Sequence, residues 1–190
     1  MKLINIINSY TSEQQPRYYL KADTALLRNN DAFYIPDGVG AFVAAPHIVL
    51  RVSRLAKCIG ERFAPRCIDA VMAGVTFTAS ERLEQLRAAG LPWDEAVGFD
   101  HSSALSLDML GRDAMLEGAT FYINDEPRLQ LSVADMAFTP DRIVSHLSEM
   151  MTLRIGDLIY LGSSEHFPVK VGDNYKVVIA GRTLLNFDIK

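Results

Sequence analysis

The sequence predicts a strand-rich α+β fold. Its apolar runs are short and rich in Val and Ile, turn residues separate them, and only two segments repeat apolar residues convincingly at helical spacing. The helices do not alternate with strands as a doubly wound parallel sheet requires. At 190 residues the chain is read as one domain, 1–190, long enough to bury a core without disulfides or a structural metal.

Taken in order, strands are expected over residues 2–7, 32–35, 48–53, 71–78, 119–123, 129–132, 158–161, 175–179 and 183–189. Asn124-Asp125-Glu126-Pro127 reads as a hairpin turn, and Asp173-Asn174 and Ala180-Gly181-Arg182 bracket a further strand. A helix over 80–89 carries Leu83 and Leu86 three apart, with Gly90 placed to end it in a left-handed conformation. A second starts at Thr139-Pro140, a hydroxyl cap followed by proline in the first turn, and presents Ile143, Leu147 and Met150 on one side. A weaker helix is expected over 65–72.

The composition is that of a soluble globular chain, 49% hydrophobic and 22% charged. With 19 Lys and Arg against 23 Asp and Glu, the net charge of −4 argues against a partner that presents phosphates, so no nucleic acid is expected. No apolar run approaches the length of a membrane span. Asn5 and Asn8 interrupt the opening apolar stretch, so no signal peptide is expected there. Cys58 and Cys67 are read as reduced thiols in the cytoplasm. Glycine-rich phosphate loops, paired metal-binding Cys or His, and a serine nucleophile elbow are all absent.

Three segments together carry a resemblance. Tyr19-Leu20-Lys21-Ala22-Asp23-Thr24-Ala25-Leu26-Leu27 is similar to a "hydrophobic-Lys-Pro-x-Ser/Thr-x-Leu" motif, with Ala22 in the proline position. Leu91-Pro92-Trp93-Asp94-Glu95-Ala96-Val97-Gly98-Phe99-Asp100 resembles "Leu-Pro-Trp-x-x-Ala-Lys-Gly-Phe-Asp". Met150-Met151-Thr152-Leu153-Arg154-Ile155-Gly156-Asp157-Leu158-Ile159 resembles "Met-Thr-Leu-x-x-Gly-Asp-hydrophobic-Ile". In order and spacing, these segments resemble the fumarylacetoacetate hydrolase family over essentially the whole chain. The resemblance implies a β-sandwich or roll with a few packed helices, usually a homodimer. It also implies a divalent metal, usually Mg²⁺, held by a Glu-x-Glu pair on one strand and an Asp on a later one. Strand residues two apart face the same way, so such carboxylates converge on one ion, which acts as a Lewis acid on an acidic keto-enol substrate.

Carried over position by position, that machinery is replaced. Ala45 and His47 stand at the two glutamate positions and Thr76 at the aspartate. Ser80 stands for an arginine, Val97 for the active-site lysine and Glu13 for a histidine, while Ser163 keeps one hydroxyl of a Thr-Gly-Thr-Pro turn. No two acidic residues lie two apart anywhere in the chain, so no shift of register restores the Glu-x-Glu pair. Both signs are lost together, about three negative and two positive charges. Removing three carboxylates while keeping both cations would leave broken buried ion pairs, at about 3–5 kcal/mol each.

The expectation is a divergent member without metal-dependent catalysis, acting as a small-molecule binder or partner subunit. The alternative is a hydrolase or isomerase acting on acidic keto-enol compounds through an altered site. Lys21, His47, Thr76, His101 and Ser163 are the candidate ligand-binding residues. No cofactor is expected, and the partners expected are a small acidic metabolite and a second copy of the chain.

Overall fold

The structure, a computed structural model, describes residues 1–11 and 14–190. Strands β1 (Leu3–Ile6), β2 (Tyr18–Lys21) and β3 (Leu26–Leu27) open the chain, and the long β4 (Phe42–Val52) and β5 (Ile68–Ala79) follow. Helix α1 (Ser80–Ala88) and the single turn α2 (Asp94–Val97) lead to β6 (Ser103–Leu105), β7 (Leu110–Gly111), β8 (Ala119–Ile123) and β9 (Glu126–Leu131). Helix α3 (Pro140–Met150) precedes β10 (Leu158–Tyr160), β11 (Phe167–Pro168), β12 (Asn174–Ile179) and β13 (Arg182–Asp188).

Two sheets result. The larger runs β2-β1-β10-β4-β5-β6-β3, with β11 added to β4 and β7 to β5; the smaller runs β13-β12-β8-β9. The larger sheet curls. Four strands separate β2 from β6, yet Lys21 Nζ of β2 donates to the carbonyl of Ser102, just before β6, at 2.8 Å.

The β4–β5 ladder shows why the sequence folds this way. Residues opposite each other share a face, and alternate residues change face. Ala44, Ile48, Leu50 and Val52 of β4, with Val71, Ala73, Val75 and Phe77 of β5, point outward from the curl into the main core. There they meet Phe121, Tyr175, Val177 and Phe187 of the smaller sheet and Ile143, Val144 and Leu147 of α3. Phe33 stacks on Phe77 with ring centroids 3.7 Å apart. The other face of the ladder points into the curl. Val49 and Met72 join Leu3, Leu26, Leu105 and Leu158 to fill one end of it. Gly74 is required there, because a Cβ would come within 2.7 Å of both the Tyr160 ring and Val49.

Local signals account for the ends of the elements. Thr139 Oγ1 accepts from the Arg142 amide at 3.1 Å, capping α3 as its sequence predicts. Gly90, at φ +64°, terminates α1. The β8–β9 hairpin turns on Asn124 and Asp125 alone, at φ +54° and +64°; Pro127 already lies in β9, at the sheet edge where a proline removes no ladder bond.

Three expectations fail. Residues 65–72 are not a helix: a 3₁₀ segment ends at Cys67 and β5 starts at Ile68, where pairing along β4 outweighs local preference. Residues 32–35 form a single bridge, Phe33 to Ile189, instead of a strand. Strand β4 begins at Phe42, six residues before the expected start, and continues through Pro46.

Candidate functional site

The open end of the curl is a cleft of about 360 Å³. Alternation along the strands builds its floor. Ala45 and His47 on β4, and Thr76 and Thr78 on β5, share the inward face, with Ala45 directly across from Thr76. Asn5 of β1, Tyr19 of β2, helix α1, Trp93 and Val97 supply the walls. Ser163 and His166, from the loop after β10, complete the lining.

His47 is the centre of the floor, 4% exposed. The amide N–H of Gly162 points at its Nδ1, 3.1 Å away, so Nδ1 must accept. A neutral imidazole has one acceptor and one donor nitrogen, which places the proton on Nε2. Nε2 donates to Thr76 Oγ1 at 2.8 Å. Burial, reinforced by the positive field of Lys21 and by His166, pushes the imidazole down to about 3. Glycine is needed at 162: its φ is +91°, and a Cβ would come within 2.8 Å of the Ile6 carbonyl.

The other predicted positions divide. Ala45, Thr76, Ser80, Val97 and Ser163 all line the cleft alongside His47. Ser80 Oγ donates to the Ala41 carbonyl at 3.0 Å, at the start of α1. Val97 is 3% exposed and presents an apolar surface. Ser163 Oγ is engaged within its own turn, donating to the Glu165 carbonyl at 2.8 Å. Lys21 is buried outside the cleft lining and donates to Ser102 O at 2.8 Å and Oγ at 3.1 Å; burial holds its amine far below the usual lysine range. His101 is not brought to the site. It sits exposed in a left-handed turn (φ +62°), on a separate groove with Arg28, Asp31 and Tyr34. Glu13 lies outside the described residues.

Asn5, Tyr19, Arg87 and His166 are lining residues that sequence reasoning missed. Two of them left a trace: Asn5 is a lone polar residue in the run Leu3-Ile4-Asn5-Ile6, and Tyr19 lies two before Lys21, on the same strand face.

A curled β-rich sheet with a polar inner cleft is the setting of the comparisons with known proteins. The chain belongs to the fumarylacetoacetate hydrolase family, whose C-terminal domain model matches residues 3–189. It is 29% identical to a mitochondrial oxaloacetate tautomerase of Arabidopsis thaliana over 182 residues, spanning 93% of this chain and 81% of that protein. It is 24% identical to an oxaloacetate tautomerase of Escherichia coli, over 90% of this chain and 80% of that one. The crystal structure of a fumarylpyruvate hydrolase from Pseudomonas aeruginosa, in complex with Mn²⁺ and pyruvate, superposes with a TM-score of 0.88 at 17% identity, covering 100% of this chain and 89% of that one.

A divalent ion of that kind does not fit this donor set. Ala45 offers a methyl group, and His47 has no lone pair left. The Thr76 hydroxyl already accepts from His47. Among the described residues no three His, Cys, Asp or Glu side chains cluster as ligands, and hard cations need several oxygen donors.

Proposed function

We propose that this chain is a metal-independent member of its family. It works as a homodimer that binds a small organic acid, or serves as a partner subunit, without the family's metal-dependent chemistry. One observation carries the reading: both ring nitrogens of His47 are spent on protein groups at a position where the family resemblance expects a metal-binding carboxylate. Gly162 satisfies Nδ1 and Thr76 accepts from Nε2, so His47 is neutral and the floor carries no charge that calls for an ion.

Calorimetric titration with Mg²⁺ and Mn²⁺ tests this. The wild-type protein is expected to give no binding heat. The triple variant Ala45→Glu/His47→Glu/Thr76→Asp places three carboxylates on facing strand positions, and is expected to melt lower than wild type without metal. Excess ion should then restore stability, by about 2.7 kcal/mol at 100 times the dissociation constant. A micromolar site in the wild-type protein that disappears in Thr76→Val would overturn the proposal.

A second reading, a hydrolase or isomerase with an altered site, draws on the names of the relatives and on His166. Burial lowers the pKa of that imidazole, and it lines the cleft as a candidate base. Metal-free turnover of oxaloacetate that is lost in His166→Gln would favour this reading over the first.

A further inference from the structure

The cleft holds an unmet demand for a hydrogen-bond donor. Asn5 is 1% exposed and lines the cleft, with Tyr19 and Tyr160 as its cross-strand neighbours. Its Nδ2 lies 3.4 Å from the Leu3 carbonyl, which only accepts, and this fixes which way the amide faces. The Asn5 Oδ1 is left with no partner among the described residues. The Nε2–H of His47, which also lines the cleft, is committed to Thr76. A buried acceptor without a donor is destabilising, so a group that brings an O–H is favoured there over one that brings a carbonyl.

The rim adds charge and shape. Arg87 of α1 has no ion-pair partner among the described residues, and its guanidinium lies 5.2 Å from the Trp93 ring centroid. Glu84, one turn earlier, also lines the cleft, so the formal charges of the rim cancel and a second ligand carboxylate is disfavoured. Tyr19 and Trp93, with centroids 5.6 Å apart, form an aromatic wall between floor and rim.

We infer that the cleft takes a hydroxy acid with a single carboxylate, its hydroxyl donating to Asn5 Oδ1 and its carboxylate paired with Arg87. The aromatic wall suits an aryl side chain. This inference rests on the metal-independent reading above, and it departs from the oxaloacetate named for the tautomerase relatives in both the hydroxyl and the number of carboxylates.

Mandelate and benzoylformate test it, because one carries a hydroxyl and the other a ketone at the same carbon, and benzoylformate, with no α-hydrogen, cannot enolise into a hydroxyl donor. In calorimetry with EDTA present, mandelate is expected to bind at least about tenfold more tightly, since a site built for a hydroxyl rejects the analogue lacking it. O-methylmandelate, which has lost the donor, is expected to bind as weakly as benzoylformate, and this comparison needs no variant to fold. Asn5→Leu should bring the ratio of mandelate to benzoylformate affinity close to one. Arg87→Gln, at the exposed rim, should weaken both acids by a similar factor and leave their ratio intact. Equal affinity for the two acids in EDTA would overturn the inference and leave metal independence standing, as would binding of neither. Binding that appears only when Mn²⁺ is added would overturn both.

Discussion

At the scale of the residue, His47 sets a pH dependence. Its imidazole is held neutral in the folded protein, at about 3, mainly by burial, whereas in the unfolded chain it titrates near the ordinary value of about 6.5. Between those values the unfolded state binds a proton that the folded state refuses. Stability therefore falls as pH drops below about 6.5, by about 1.4 kcal/mol per pH unit for this one group. His47→Gln is expected to be less stable at neutral pH but to lose stability less steeply between pH 6.5 and 4. Urea unfolding across that range, for both proteins, measures the two slopes; parallel profiles would show that His47 is not held neutral. The same residue marks how far the site was legible. Ala45, His47, Thr76, Ser80 and Val97 were singled out by the family resemblance, and all five line the cleft. His101 was misplaced because a left-handed turn, invisible in the motif, aims it elsewhere. Asn5 and Arg87 were missed because only the curl of the sheet brings them beside β4 and β5.

Among the elements, β1 and β10 are parallel neighbours joined at one end by Asp157. Its side chain is 1% exposed. Burial works against its charge. Lys2 and the backbone outweigh this: the carboxylate accepts from the Lys2 amide at 2.8 Å and the Arg154 amide at 2.8 Å, and pairs with Lys2 Nζ at 2.5 Å, so its pKa is lowered. A depressed carboxyl contributes stability above the ordinary carboxylate range, and that contribution fades as pH falls through the folded value. Asp157→Asn is expected to cost about 1–3 kcal/mol at pH 7, because the ion pair with Lys2 is lost and two part-buried amides keep one weaker acceptor between them. The gap in melting temperature should narrow by pH 3; a gap of equal size at both pH values would argue against an ionised Asp157. The strands themselves were legible where apolar residues alternate over five or more positions, as in β8 and β12. The short β2 and β6 were not, because two to four residues held mainly by pairing leave no period to read.

For the whole molecule, the proposed homodimer predicts a mass of twice the 21.1 kDa chain by light scattering at micromolar concentration. Leu107, Met109 and Leu116 stand 58%, 43% and 68% exposed within a short stretch between β6 and β8, surface that a second copy would cover. A mass near that of one chain would count against it. No helix among the described residues is long and apolar enough to cross a membrane.

The β4–β5 ribbon gives this lineage two nearly independent ledgers of inheritance. A substitution at Ala45, His47 or Thr76 is read by the cleft, and one at Ala44, Ile48 or Val75 is read by the core, because the two sets point to opposite faces of the ribbon. Selection for foldability therefore polices one set of positions and is nearly blind to the other. A gene of this kind can lose one chemistry and drift toward another over many generations while every intermediate still folds.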